Sequence, residues 1–325
     1  MATHDLTALV IGCGSIGRRH ARNLAALGVG EILLFDVDPE RSAEAANESD
    51  GCAVGDLEQS FAGGRGVALV CSPPTLHFGH VTEALEAGWD IFVEKPVAPT
   101  AAEAEALASL AEAQNAITLV GFNLRFEPGL IDVERLLRSG DLGRPLAARG
   151  IVGQFLPDWH PWEDYRVGYS ARRNLGGGVL LDSSHEIDIA LWLFGEPKRV
   201  WSQGGKVSSL EIDTEDIAQI SLEFPVGPLV QLQLDYLQRS PRRELEIACE
   251  NGTIRWRYDE RRLDVFADGS WTTTRLRDDH NLTYLDEMEH LLQAVEARTP
   301  TRCDLREGAR SLRVVEAAKK RADST

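Results

Sequence analysis

Apolar positions along the first third of the chain come in two textures that alternate. Short, largely apolar runs fall at residues 6–11, 31–36, 67–71, 91–93 and 117–120. Runs of this length read as strands. Between them lie stretches of helical period at 16–27, 39–47, 77–87 and 101–113. Pro39 opens the second of these, Gly88 ends the third, and Thr100 caps the fourth. Strand–helix alternation predicts right-handed βαβ units and a parallel sheet.

Near Gly121 the texture changes. One helix is expected at 130–138. Longer strands follow at 146–155, 199–207, 216–224, 229–238, 244–249, 253–258, 263–266 and 271–276. Asn251-Gly252 and Asp268-Gly269 mark hairpin turns. The pattern predicts one large, mainly antiparallel open sheet. Helices at 284–297 and 305–320 close the chain. The expectation is an α/β protein: a doubly wound parallel sheet over 1–122, then an α+β domain over 123–325 for substrate binding and oligomerisation. Helix 305–320 is placed near the first domain.

Composition narrows the partners. The chain has 325 residues, 43% hydrophobic and 26% charged, which is ordinary for a globular protein. Its net charge of −17 opposes binding to phosphate backbones or anionic lipid. No apolar stretch reaches the roughly 20 residues that span a bilayer, and the N-terminus does not read as a signal peptide. Cys13, Cys52, Cys71, Cys249 and Cys303 are scattered, without a Cys-x-x-Cys pair. That pattern fits a reducing cytoplasm better than a disulfide framework or zinc knuckle.

Gly12-Cys13-Gly14-Ser15-Ile16-Gly17 follows a strand and opens a helix. The first glycine permits the tight turn, the second lets backbone approach a pyrophosphate, and the third lets helix and strand pack. The helix start adds free N–H groups and a positive dipole end. Asp36 ends the next strand, 19 positions after Gly17. That is the place of an acid gripping the adenosine ribose diol in a Rossmann domain. Asp36 and Asp38 oppose a 2′-phosphate and favour NAD. Arg41 is the counter-signal, which leaves NADP open.

Three further motifs make the reading specific. Glu94-Lys95-Pro96 follows a strand. Asn123 and Arg125 stand in Gly121-Phe122-Asn123-Leu124-Arg125-Phe126. Gly176-Gly177-Gly178 precedes Asp182, His185 and Asp188. With the glycine fingerprint, this set resembles the glucose–fructose oxidoreductase / inositol dehydrogenase family of NAD(P)-dependent sugar oxidoreductases. The resemblance runs over nearly the whole chain. It implies a Rossmann domain, a C-terminal domain with an open sheet, cofactor in the cleft between them, and homodimers or homotetramers built through the sheets. It makes Lys95 the catalytic lysine and Pro96 the residue shaping its turn. It makes His185 the proton acceptor and Asp182 an orienting group. The loop Ser72, Pro73, Pro74, Thr75, with His77, would line the cofactor together with Glu94 and Asn123.

The residues carry their own logic. Lys95 lies just past the C-terminal end of a parallel strand, where ligands of such sheets bind. An ammonium there could stabilise a developing alkoxide. A neutral imidazole suits proton transfer near pH 7. Asp182 and His185, three apart at a helix start, could share one face. The family's commoner spacing is four, so one of the two is displaced here. Asp188 would brace the helix. Asp182, His185 and Asp188 alone do not suggest a metal site.

A substrate segment is expected between 155 and 174. It holds Trp159, His160, Trp162, Tyr165, Arg166, Tyr169, Arg172 and Arg173. Aromatic faces suit sugar rings, and arginines suit carboxylates or phosphates. From Arg166 to Asn174 three arginines meet no acid in the sequence, which points to a sugar acid or nucleotide-linked sugar. Arg125 would face the same substrate, and Tyr236 and Arg239 are weaker candidates. The activity expected is hydride transfer between a sugar's secondary alcohol and nicotinamide. Two alternatives stay open: a glycosidase or epimerase that keeps NAD bound and oxidises transiently, and a sugar-sensing regulator without chemistry.

Overall fold

The computed structural model describes residues 5–159, 161–279 and 281–322. Two compact units emerge. One comprises Met1–Asn123 with Asn281–Leu312, the other Leu124–His280 with Arg313–Thr325.

From the N-terminus run β1 (Thr7–Ile11), α1 (Ser15–Ala26), β2 (Glu31–Phe35), α2 (Pro39–Ser49), β3 (Cys52–Ala53), α3 (Leu57–Ser60), β4 (Val67–Val70), α4 (Pro74–Glu86), β5 (Asp90–Val93), α5 (Ala101–Gln114) and β6 (Thr118–Val120). The six strands are parallel in the order β3-β2-β1-β4-β5-β6. The order reverses between β1 and β4, the switch point at which open α/β sheets bind ligands. All four residues of β4 and of β5 are buried, as in central strands covered on both faces, whereas β2 is buried only in part. Thr100 and Glu103 form a reciprocal capping box at α5. The helix expected at 77–87 begins three residues earlier, because Pro74 occupies its first turn.

The second unit contains α6 (Pro128–Ser139), β7 (Pro145–Gly153), α7 (Val179–Asp182), α8 (Ser184–Phe194), β8 (Arg199–Gly205), β9 (Ile217–Glu223), β10 (Leu229–Asp235), β11 (Arg242–Cys249), β12 (Thr253–Arg257), β13 (Arg262–Ala267) and β14 (Ser270–Arg275). The sheet order is β14-β13-β12-β11-β7-β10-β9-β8. Among the described strands of this sheet, only the β7–β10 pair is parallel. Alternation sets the faces: Ala218, Ile220 and Leu222 of β9 and Val230, Leu232 and Leu234 of β10 are buried. Helices α7 and α8 pack against these strands. The opposite face exposes Trp201, Gln219, Leu229 and Gln231.

Two helices close the chain, α9 (Leu282–Ala297) and α10 (Leu305–Ala322). Here the expected partition at residue 122 differs from the structure, since residues 281–312 belong to the first unit. Thr283 accepts from Asn123 at 2.9 Å, Arg298 pairs with Asp90 at 2.6 Å, and Arg306 pairs with Glu112 at 2.7 Å. Helical period identifies a helix but not the sheet it covers.

Candidate active site

The dinucleotide fingerprint has the local geometry its three glycines imply. Gly12 has φ +97°, and a Cβ there would lie 2.7 Å from the Ser72 nitrogen. A Cβ on Gly17 would lie 1.9 Å from the Gly12 oxygen, so helix and loop pack only because none is present. At Gly14 nothing stands within 4 Å, which leaves open the side from which a pyrophosphate approaches. Ser15 and Ile16 begin α1, whose first turn carries no acidic side chain. Its free N–H groups and dipole therefore meet no competing carboxylate.

Asp36 is fixed beside this turn. Its carboxylate accepts from the Cys13 N–H at 2.7 Å and from the Asp38 N–H at 2.9 Å. Burial, then the Asp36 charge, pushes the Cys13 thiol up to about 12, so the thiol is inert. Asp38 caps α2, and Arg41 lies 3.5 Å from the Asp38 carboxylate. Arg41 is thus answered by an acid. An open depression of about 680 Å³ borders Gly14, Ser15, Arg18, Asp38 and Arg41. The glycine cradle, helix start and anchored acid fit a dinucleotide.

The Lys95 turn is braced from beneath. The Lys95–Pro96 bond is cis. Glu94 accepts from the Lys95 N–H at 3.2 Å, while its other oxygen lies 3.0 Å from His20 Nε2. His20 is inaccessible, and its ring packs edge-on against Phe92 and Tyr284. His77 was expected to line the cofactor. It is 1% exposed instead, its ring nitrogens 2.7 Å from the Ser72 and Pro96 carbonyl oxygens. Burial holds its imidazole below the ordinary range. It ties the loop Ser72, Pro73, Pro74, Thr75 to the Lys95 turn. Asn123 is likewise engaged internally, with Thr283.

In the second unit Asp182 and His185 are both buried. They do not share one continuous helix, as their spacing suggested. Asp182 ends α7, Ser183 interrupts with φ −97° and ψ 27°, and His185 is the second residue of α8. The Tyr236 hydroxyl donates to Asp182 Oδ2 at 2.5 Å. Burial, reinforced by the Asp182 charge, raises the Tyr236 phenol well above its usual range, so it remains a donor. Trp159 packs edge-on against Tyr236 at 5.3 Å between centroids. The glycine run makes the approach to α7 possible: a Cβ on Gly177 would lie 2.0 Å from the Tyr169 oxygen, and Gly178 has φ +117°.

Two residues expected at a substrate are engaged within the fold. Arg125 is the first. It forms a bidentate pair with Asp188 at 2.8 and 2.7 Å, and both side chains are at most 2% exposed. In the arginine cluster, Arg166 is answered by acids. It grips Asp164 at 2.8 Å and lies 3.5 Å from Glu211, while Arg173 gives its backbone N–H to the Asp213 carboxylate at 2.7 Å and turns its guanidinium to the Asp213 carbonyl oxygen at 3.4 Å. Glu211 and Asp213 come from outside the segment, which a local count of charges could not see. Tyr165 accepts from the Glu211 N–H at 3.3 Å, and Trp162 is exposed. His160 lies outside the described residues. Tyr236, weakly marked in the sequence, is central here, and its place at the end of β10 was the available signal. Among the described residues no group of three or more His, Cys, Asp or Glu side chains could hold a metal.

These features fit a nicotinamide-dinucleotide domain followed by a second unit in which the Tyr236 hydroxyl holds a buried carboxylate. Comparison with known proteins agrees. Residues 6–122 match the oxidoreductase family's NAD-binding Rossmann fold, and residues 130–255 match the GFO/IDH/MocA C-terminal domain. The chain belongs to the GFO/IDH/MocA oxidoreductase family. It is 32% identical to myo-inositol dehydrogenase Hyg17 of Streptomyces leeuwenhoekii over 210 residues, 64% of this chain and 62% of that one, less than two thirds of the relative's length. It is 28% identical to the UDP-N-acetylglucosamine 3-dehydrogenase of Acidithiobacillus ferrooxidans over 320 residues, 95% and 94% of the two chains. Levoglucosan dehydrogenase in complex with NADH and levoglucosan shares the fold, with a TM-score of 0.88 at 21% identity over 98% of this chain and 97% of that one. No helix among the described residues is long and apolar enough to cross a membrane.

Proposed function

We propose that the chain catalyses NAD-dependent oxidation of a secondary alcohol on a neutral, hydroxyl-rich ring, a sugar or cyclitol. The observation that carries this is Asp182, buried, held by the Tyr236 hydroxyl and three positions from His185. A fixed, buried carboxylate suits hydrogen bonds from ring hydroxyls, and Trp159 offers an aromatic surface nearby. Of the neighbouring arginines, Arg166 is paired with Asp164 and lies 3.5 Å from Glu211, so its charge does not call for an anionic substrate.

The backbone of Gly12, Gly14, Ser15 and Ile16 would hold the pyrophosphate, and Asp36 the adenosine ribose. When bound, the nicotinamide supplies the hydride acceptor for the carbinol carbon. Lys95 donates a hydrogen bond to the reacting hydroxyl and stabilises negative charge on its oxygen. His185 takes the hydroxyl proton as general base. Asp182 accepts from a neighbouring hydroxyl and sets which carbon reacts. The five free cysteines suit a reducing, cytoplasmic setting. The exposed sheet face around Trp201 and Leu229 suits a homo-oligomeric contact.

The test is a dehydrogenase screen that pairs neutral sugars and cyclitols with their acidic and nucleotide-linked counterparts. The expected result is stoichiometric NADH release with a neutral ring. Lys95→Met is expected to lower kcat by on the order of a hundredfold with NAD affinity retained. NADH-free turnover, or turnover surviving in Lys95→Met, overturns the reading.

A further inference from the structure

Three motifs of the sequence meet at one carboxylate. Glu94 follows β5 and opens the Glu94-Lys95-Pro96 turn. Its Oε2 accepts the Lys95 N–H at 3.2 Å. Its Oε1 lies 3.0 Å from Nε2 of His20, on α1, the helix that the glycine fingerprint opens. The third motif supplies Gly121, just past the end of β6. A Cβ on Gly121 would lie 2.9 Å from Glu94 Oε2 and 3.1 Å from the Phe92 ring. The carboxylate therefore fills the room that this glycine leaves, and its side chain is 14% exposed.

The surroundings of His20 fix its ring. Phe92 packs edge-on against it at 4.8 Å between centroids, and Tyr284 at 6.0 Å. Its Nδ1 is buried with no hydrogen-bond partner among the described residues. A bare ring nitrogen is cheaper to leave there than an N–H without an acceptor. The proton therefore sits on Nε2, and the ring donates to Glu94. Both oxygens of Glu94 are then engaged, one by α1 and one by the Lys95 turn. We propose that His20 is a positioning residue for Lys95: acting through Glu94, it ties the backbone of the Lys95 turn to the helix assigned above to the pyrophosphate. The proposal rests on the role given above to Lys95. Loosening this tie should cost rate more than affinity, because a misplacement of about 1 Å at a reacting group can cost on the order of a hundredfold.

The experiment uses the full-length protein with His20→Leu, which removes the donor, and His20→Gln, whose amide places an N–H near the former Nε2. His20→Leu should lower kcat at least about tenfold, with the NAD dissociation constant, read by tryptophan fluorescence, held within about twofold. His20→Gln should recover kcat to within about threefold of the wild type on the same reasoning. Each change is repeated in Lys95→Met. A residue that acts only through Lys95 has nothing left to position there, so no further loss is expected. Gly121→Ala reaches the same bond and leaves His20 in place: its Cβ would push Glu94 Oε2 off the Lys95 N–H. It should lower kcat to a similar extent, again with no further loss in Lys95→Met, and it decides the matter if His20→Leu does not fold. Nitrogen NMR of histidine-labelled protein adds a signature independent of turnover. One ring, absent from the His20→Gln spectrum, should be protonated on Nε2 alone. A loss of NAD affinity that matches the loss of kcat, a loss that glutamine does not relieve, a further loss on top of Lys95→Met, or a His20 ring protonated on Nδ1 overturns the proposal. So does wild-type kcat in His20→Leu or Gly121→Ala beside an impaired Lys95→Met. Turnover surviving in Lys95→Met itself removes the role of Lys95, so the two failures are distinguishable.

Discussion

The Tyr236 hydroxyl reaches Asp182 at 2.5 Å from just beyond the end of β10. This bond fixes a buried carboxylate of the second unit. Asp182 sits at a helix interruption, where the backbone alone does not fix a side chain. Tyr236 is inaccessible and cannot move aside, because Trp159 packs against it. The carboxylate is therefore preorganised by a neighbour 54 positions away in sequence.

Tyr236→Phe removes that donor and little else. A hydrogen bond to a charged group is worth about 1.5–3 kcal/mol, so kcat/KM should fall roughly tenfold to a hundredfold. NAD affinity, read by tryptophan fluorescence, should not change. Unchanged kcat/KM would show that Asp182 is oriented by other contacts.

The Arg125–Asp188 pair should behave as a structural element. Both partners are buried, and the geometry is bidentate. Asp188→Asn leaves a buried guanidinium without its countercharge, a change that costs about 3–5 kcal/mol. A large fall in thermal midpoint is expected. The double replacement Arg125→Met, Asp188→Leu should recover much of it. If Asp188→Asn alters only KM for the alcohol, Arg125 belongs to the substrate site.

Asp264 sets an acid-side limit. Burial raises its value, but the Thr273 hydroxyl and Arg262 outweigh burial and hold the carboxyl below its usual range. A depressed folded-state value gives stability that is present above the unfolded value and lost as pH falls through the folded one. Asp264→Asn should therefore lower the thermal midpoint at pH 7. The two proteins should converge in strong acid, where the wild-type carboxyl is protonated too. A gap that stays constant with pH would assign the effect to packing.

Much of this was legible in the sequence because it is local. Short apolar runs marked β4 and β5, and the longer strands between turns marked β9 and β10. Gly12, Gly14 and Gly17 announced a turn whose requirements are set within six residues. What the sequence hid depends on distant partners. Arg166 looked unopposed until Glu211 folded towards it. Arg125 looked available until Asp188, 63 positions on, claimed it. His77 carries the residue type of a ligand, yet two carbonyl oxygens hold its ring. Glu287, on α9, is fully buried without any local signal of it, since an acid on a helix is ordinarily solvated.

Asp36 should decide the choice of nucleotide. Its carboxylate is held at the end of β2 by the Cys13 and Asp38 N–H groups. A ribose diol can donate to it, whereas a 2′-phosphate would meet its charge and that of Asp38. Arg41 offers little relief while it lies against Asp38. NAD should therefore bind at least about tenfold more tightly than NADP, the loss of one charge-assisted bond being enough for that factor. Asp36→Asn separates two consequences. An amide retains one acceptor oxygen but turns an NH₂ toward one of the two N–H donors, so the thermal midpoint should fall modestly. Its neutrality should also weaken NAD and relieve the repulsion of NADP, narrowing the ratio of dissociation constants. Fluorescence titration with both nucleotides reads the ratio, and melting without nucleotide reads the midpoint. A ratio unchanged by Asp36→Asn, with the midpoint lowered, would leave Asp36 a brace for the glycine turn and move nucleotide choice to Arg41.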